Sequence, residues 1–153
     1  MKFNHLLLLI TLLFCVNFVP AQSVVINEFM ADNESTLRDR DGEYVDWIEL
    51  YNPSGQDVNL MNYSLSDDEN EPRKWVFPSV SVPAQGFLIV YASKKNSNEG
   101  GELHTNFKID SDGESLYLRD TEGRIVDQSP AVGLPEDQSY GRVPDGGEYW
   151  VKM

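Results

Sequence analysis

Cysteine, histidine and basic residues are scarce in this chain. Its 153 residues carry one Cys, two His and 12 Lys+Arg against 25 Asp+Glu, for a formal net charge of -13. So few Cys and His exclude the usual Cys/His zinc sites and a Cys–His nucleophilic pair. An acidic excess without a compensating Lys/Arg cluster repels phosphate backbones and anionic lipid, so nucleic acid and membrane surfaces are set aside as partners. The phosphate-cradling patterns G-x-x-x-x-G-K-[ST] and G-x-G-x-x-G are missing, as is the G-x-S-x-G nucleophile elbow. What is present is apolar material: 41% hydrophobic and 11% aromatic residues, too rich for a disordered acidic tail and enough for one globular domain.

Met1–Ala21 has the three-part layout of a secretory signal peptide: Lys2, an apolar run from Leu6 to Val19, then the small residue Ala21. The run is shorter than the roughly 20 residues that span a bilayer as a helix; an uncleaved anchor is the alternative. Phe14 before Cys15 argues against lipid attachment. Cleavage after Ala21 removes the only Cys, His5, one Lys and no acid, making the remainder one unit more negative. The expected product is secreted, whether extracellular, periplasmic or at the cell surface, with no membrane insertion after cleavage. Without disulfides it relies on its hydrophobic core.

Beyond Ala21 the chain reads as short strands divided by turns. About eight segments are β-branched or aromatic and of strand length: VVINEFM from Val24, EYVDWIELYN from Glu43, QDVNL from Gln56, NYSLSD from Asn62, RKWVF from Arg73, GFLIVYA from Gly86, ESLYLRD from Glu114 and GRIVDQS from Gly123. Gly and Pro punctuate the intervals, and no stretch keeps a helical apolar period. The expected fold is an all-β sandwich or barrel. GFLIVYA is apolar on both faces and is expected to be central. In ESLYLRD, Leu116 and Leu118 face the core. SDGE before Ser115 and DTEG before Ile125 have the composition of tight hairpin loops. The polar interval from Ala92 to Ile109, with KKNSNEGG at its heart, is the longest without a strand pattern and is expected to be mobile or a binding loop.

The order VVINEFMADN, DGEYVDWIELYNPSGQDVNLMNYSLSDD, KWVFP, GFLIVYAS, LHTNFKIDSDGESLYLRDTEGRIVD and DQSYGRVPDGGEYW resembles the lamin tail domain family in its bacterial secreted form, over about Val24 to Val151. The resemblance implies an immunoglobulin-like β-sandwich over residues 24–151, preceded by the signal peptide helix at 1–21. Its most specific block contains Asp46, Trp47, Ile48, Glu49, Leu50 and Asn52, with Trp75 further on. Read physically, Trp47, Glu49 and Tyr51 share one strand face, and Ile48 and Leu50 the other. Trp47, Tyr51 and Trp75 are expected in or near the core. The resemblance implies a non-catalytic binding or adhesion module. The nuclear filament role does not carry over, since there is no heptad rod and no C-terminal Cys. The stop soon after Trp150 suggests the N-terminal part of a larger exported protein.

Chemistry is weighed against turn structure. Asp39, Asp41 and Asp46 in LRDRDGEYVD and Asp110 and Asp112 in KIDSDGES are calcium candidates, because alternating acids before a Gly offer several oxygens to a hard cation. The competing reading is a pair of Asp-Gly turns, so no cofactor is expected. His104 reads as an exposed or turn-bonded histidine. No carboxylate pair stands out for glycosidase chemistry, so the chain is not expected to be an enzyme. The partner is a protein or a surface polysaccharide, met by the Ala92–Ile109 loop, the Thr36–Glu43 loop and the SDDENEP loop from Ser66. The 94–101 segment is expected to be dispensable for folding. A carbohydrate-binding module is the rival reading, and burial of Trp47 and Trp75 would remove its stacking anchors.

Overall fold

The computed structural model describes residues 24–153, so the expected signal peptide helix lies outside the described residues. Among those residues no helix is long and apolar enough to cross a membrane. Eleven strands form: β1 Val25–Met30, β2 Asp46–Tyr51, β3 Val58–Asn59, β4 Ser64–Ser66, β5 Trp75–Val76, β6 Ser81–Val82, β7 Phe87–Ala92, β8 Tyr117–Arg119, β9 Ile125–Gln128, β10 Ser139–Arg142 and β11 Trp150–Lys152. Each of the eight predicted segments contains one of them. β6, β10 and β11 are additional. The strands assemble as a five-stranded sheet in the order β11-β10-β1-β2-β7, a four-stranded sheet in the order β5-β4-β8-β9, and the small pair β3-β6. All these pairings are antiparallel. The result is an immunoglobulin-like sandwich.

Period-two alternation builds the core. Phe29 lies opposite Ile48 and Ile26 opposite Leu50, while Ile48 faces Val90 and Leu50 faces Leu88. These side chains meet Leu65, Trp75, Phe77, Leu116 and Leu118 of the other sheet region in one buried cluster. At one margin the sheets are clasped by polar groups. Asp127 of β9 accepts the Ile26 N–H at 2.7 Å and pairs with Arg142 of β10 at 2.9 Å. The DTEG segment makes the expected β8–β9 hairpin, with Asp120 Oδ1 capping the N–H groups of Glu122 and Arg124.

Several expectations are corrected. β7 is an edge strand, paired along its length only with β2. Its second face is apolar because it meets a satellite cluster, in which Met30, Val45, Trp47 and Tyr91 are buried together with Leu37 and Ile89. The loop 31–45 covers that cluster. Asn33 shapes this loop, donating to the carbonyls of Leu37 at 2.7 Å and Val45 at 2.9 Å. SDGE forms a turn, with Gly113 N–H donating to Asp110 O at 3.0 Å, but it joins no pair of named strands. The Ala92–Ile109 interval is largely built into the fold: Leu103, His104, Thr105, Phe107 and Ile109 are buried. Its chain runs beside β7, where Tyr91 N–H donates to Leu103 O and Thr105 N–H to Tyr91 O, both at 2.8 Å.

Candidate functional site

The DWIELYN block is a framework. Trp47 and Trp75 are 9% and 6% exposed, as the core reading expects, so neither offers a face for a sugar ring. Ile48 and Leu50 are fully buried. Asp46 is buried and ties two loops to β2, accepting the N–H groups of Asp32 at 3.0 Å and Ile109 at 3.2 Å. Burial pushes its carboxyl above the usual range, and those two amides offset part of the rise. Glu49 lies on the outer face, where burial, with Glu28 and Asp145 nearby, raises its carboxyl despite the Asn27 amide. Asn52 is fully buried. Its Nδ2 donates to the carbonyls of Gln56 at 2.7 Å, Val82 at 3.1 Å and Pro83 at 3.0 Å, and its Oδ1 accepts Ser54 N–H at 3.0 Å.

Two of the predicted recognition loops converge. Asp39 Oδ1 accepts the N–H groups of Asp41 and Glu43, each at 3.0 Å, while Gly42 takes φ 83°, so the segment is the Asp-Gly turn that its composition suggests. Onto this turn comes Lys95 from the 94–101 segment. Its Nζ lies 2.5 Å from Asp39 Oδ2 and 2.8 Å from both Asp41 Oδ2 and Glu43 Oε2. Burial raises the Asp39 carboxyl, but the Lys95 ammonium and the backbone amides outweigh it and hold the group below its usual value. Three carboxylates push the Lys95 pKa upward through direct hydrogen bonds. The 94–101 segment therefore braces the fold, which revises its expected dispensability. The third loop adjoins the same region: Lys74 pairs with Asp67 at 2.7 Å, and Asn106 Nδ2 donates to Lys74 O at 2.7 Å.

The calcium candidates do not gather. Asp39 and Asp41 share the Lys95 cluster with Glu43, the one acidic trio close enough among the described residues to hold a metal. Asp46 serves backbone amides elsewhere. Asp110 accepts the Asp112 N–H at 2.9 Å within its own turn, and Asp112 is exposed. An ammonium fills the space between the trio's oxygens, so a divalent ion would first have to displace Lys95. The expected outcome of a thermal scan is the same melting temperature in excess calcium and in chelator; a calcium-dependent rise of several degrees would overturn that expectation.

His104 is buried rather than exposed. It stacks on Tyr91 with ring centroids 5.1 Å apart, its Nδ1 lies 2.9 Å from Ser93 Oγ, and its Nε2 lies 3.5 Å from Glu102 Oε2. Ser, His and Glu are the residue types of a hydrolase triad, but Ser93 and His104 are both buried, leaving a substrate carbonyl no route to the hydroxyl. The nearby Lys95 N–H already points at Ser93 Oγ, at 3.3 Å, instead of forming part of an oxyanion hole. The trio reads as a packed polar bridge.

Nothing local in the sequence singles out Lys95 or Asn33. Lys95 finds its acids 52 to 56 positions away along the chain, and only folding reveals the pairing.

The Lamin Tail Domain family model matches residues 19–132. No curated protein matches the chain. β10 and β11 lie beyond the matched segment, although β10 pairs directly with β1.

Proposed function

We infer the function from the family to which this chain belongs, the lamin tail domain family, a family of immunoglobulin-like binding domains, generally protein-interaction modules. We propose a non-catalytic binding or adhesion module of an exported or cell-surface protein. The Thr36–Glu43 and Lys94–Glu102 loops form its recognition end. The carrying observation is the Lys95 bridge, which holds two polar loops rigidly side by side. Preorganised loops on a sandwich recognise partners at low entropic cost. A protein partner is favoured over a polysaccharide because both candidate stacking tryptophans are buried.

Asn98 and Glu99 project from the tip, exposed. Replacing both with Ala is expected to leave the melting temperature within about 2 °C, since exposed side chains carry little stability, while reducing capture of the protein partner by cross-linking on the producing cells. Undiminished capture would move recognition away from this end. Turnover of any substrate by the purified protein would overturn the non-catalytic reading.

A further inference from the structure

The five-stranded sheet has an outer face, turned away from the core, and among the described residues a loop covers one end of it. There Met30, Trp47 and Tyr91 lie beneath the loop 31–45. At the other end, among the described residues, only the turn after β10 reaches the face, with Gly146 against the Tyr51 ring and bonded to Asn27, and the rest stays open. Of the eight exposed large apolar side chains among the described residues, Phe87, Val143, Tyr149 and Val151 stand there and Met153 reaches over it, from 40% exposed at Val151 to 76% at Tyr149. Register places them on one face, Phe87 at the β7 edge and Val151 at the β11 edge. Val151 lies opposite Gly141, which lies opposite Glu28, and Glu28 lies opposite Glu49, which faces Ile89; cross-strand partners share a face. Met153 overlies Gly141, where an added Cβ would come 2.8 Å from its Cε. Phe87 stacks with Tyr51, ring centroids 4.8 Å apart. Trp150 turns to the core side against Tyr140, so alternation sends Tyr149 outward, and Val143 N–H donates to Tyr149 O at 2.8 Å.

An apolar face of this kind marks an interaction surface, and its charges select the occupant. Glu28 and Glu49 sit side by side in its middle, with Asp145 beside them. Asn27 Nδ2 donates to Glu49 Oε1 at 3.0 Å and to Asp145 Oδ1 at 3.1 Å. Among the described residues no ion pair involves any of the three. Two copies packed face to face would oppose these carboxylates on a chain already carrying a net charge of -13, so self-association is penalised. A cation from a partner would instead be paired and shielded by the surrounding apolar side chains. Four strand-to-strand steps of about 4.8 Å make the face about 19 Å wide, enough for a short extended segment.

Resting on the protein-binding reading and adding a second surface to the loop end, we propose that this outer face docks a protein segment presenting an arginine or lysine flanked by aliphatic or aromatic side chains. The apolar flanks cover Phe87, Tyr149, Val151 and Met153, and the cation meets Glu28 and Glu49.

The test titrates the protein with a short synthetic peptide of alternating valines and leucines around a central arginine, and with a twin carrying glutamate there. The arginine peptide is expected to bind with Kd below about 1 mM, more weakly as salt rises. Amide NMR shifts should center on Glu28, Glu49, Gly141 and Val151. The exposed-site variant Tyr149→Ser/Val151→Ser should cost about tenfold in affinity without changing the melting temperature, and Glu28→Lys should abolish binding. No binding, or equal binding of the glutamate twin, overturns the inference. Shifts confined to residues 36–43 and 94–102 would overturn it while leaving the protein-binding reading standing. A dimer in sedimentation that Tyr149→Ser/Val151→Ser dissociates would assign the face to a second copy and overturn it as well.

Discussion

Asn52→Ala is expected to lower the unfolding free energy by about 4 kcal/mol, since each buried carbonyl or amide left without a partner costs roughly 1–3 kcal/mol. The size follows from how many backbone groups one side chain serves. Its amide nitrogen reaches three carbonyls, of Gln56, Val82 and Pro83, and its oxygen takes the Ser54 N–H. These groups belong to the turn after β2 and to the crossing from β6 to β7, so a single residue fixes where two connections touch. Asn52→Asp is the sharper variant. A carboxylate is nearly isosteric but donates nothing and would face three carbonyl oxygens, so it should do at least as badly at neutral pH. It should recover partly on acidification, when a protonated carboxyl can donate again. Urea denaturation measures both. A loss below about 1 kcal/mol for Asn52→Ala would mean that water replaces the amide and that the residue is no keystone.

Lys95→Met should cost about 2 kcal/mol at neutral pH. Stripping the partner from a buried carboxylate costs about 3–5 kcal/mol, but Lys95 is partly exposed and Asp41 and Glu43 are largely exposed, so solvent screens part of the loss. The pH dependence identifies the cause. Asp39 has a folded-state pKa held below its ordinary 3.8. Its contribution is therefore fully present above that ordinary value and disappears as pH falls through the lower folded value. Lys95 is raised above its ordinary 10.5, so its contribution is present below that value and is lost only as strong alkali titrates the folded protein. The gap between wild type and Lys95→Met should thus stay level from about pH 5 to pH 9 and close toward pH 2. A gap independent of pH down to that limit would show that lost methylene packing, not charge, sets the cost. Lys95→Arg keeps the charge and should recover much of the loss.

The sandwich was legible wherever a strand carried its own alternation. Ile48 and Leu50 against Trp47 and Glu49, or Leu116 and Leu118 against Ser115 and Tyr117, declare two faces without help from the rest of the chain. β10 is the opposite case. Its residues Ser139–Arg142 include one aromatic and a glycine, and it becomes a strand because β1 and β11 flank it. β7 misled for a related reason: two apolar faces usually mean two covering layers of regular structure, whereas here the second cover is an irregular loop held by Asn33. Of the candidate site, the acidic turn at Asp39–Glu43 could be read from its Asp-Gly composition. The lysine that completes it could not, because a charge-to-charge pairing across more than fifty residues leaves no local trace. The same blindness applies to the outer face, which combines residues from β1, β2, β7, β10 and β11 that are unremarkable one at a time.

The position of β1 governs the order in which this molecule can fold. It is the first strand among the described residues and the middle strand of their largest sheet, with β2 on one side and β10, more than a hundred residues later, on the other. β2 can pair with it, and β7 with β2, as soon as they are made. The opposite flank stays an open row of amides and carbonyls until β10 has been made, and Phe29 waits equally long for Tyr140 and Trp150. Closing so distant a contact is entropically expensive, which makes sheet completion the slow step. A polypeptide growing from its N-terminus therefore cannot reach its native state piecemeal. The sandwich gains full cooperativity only with β10 and β11, and until then its central strand is exposed to association with another chain.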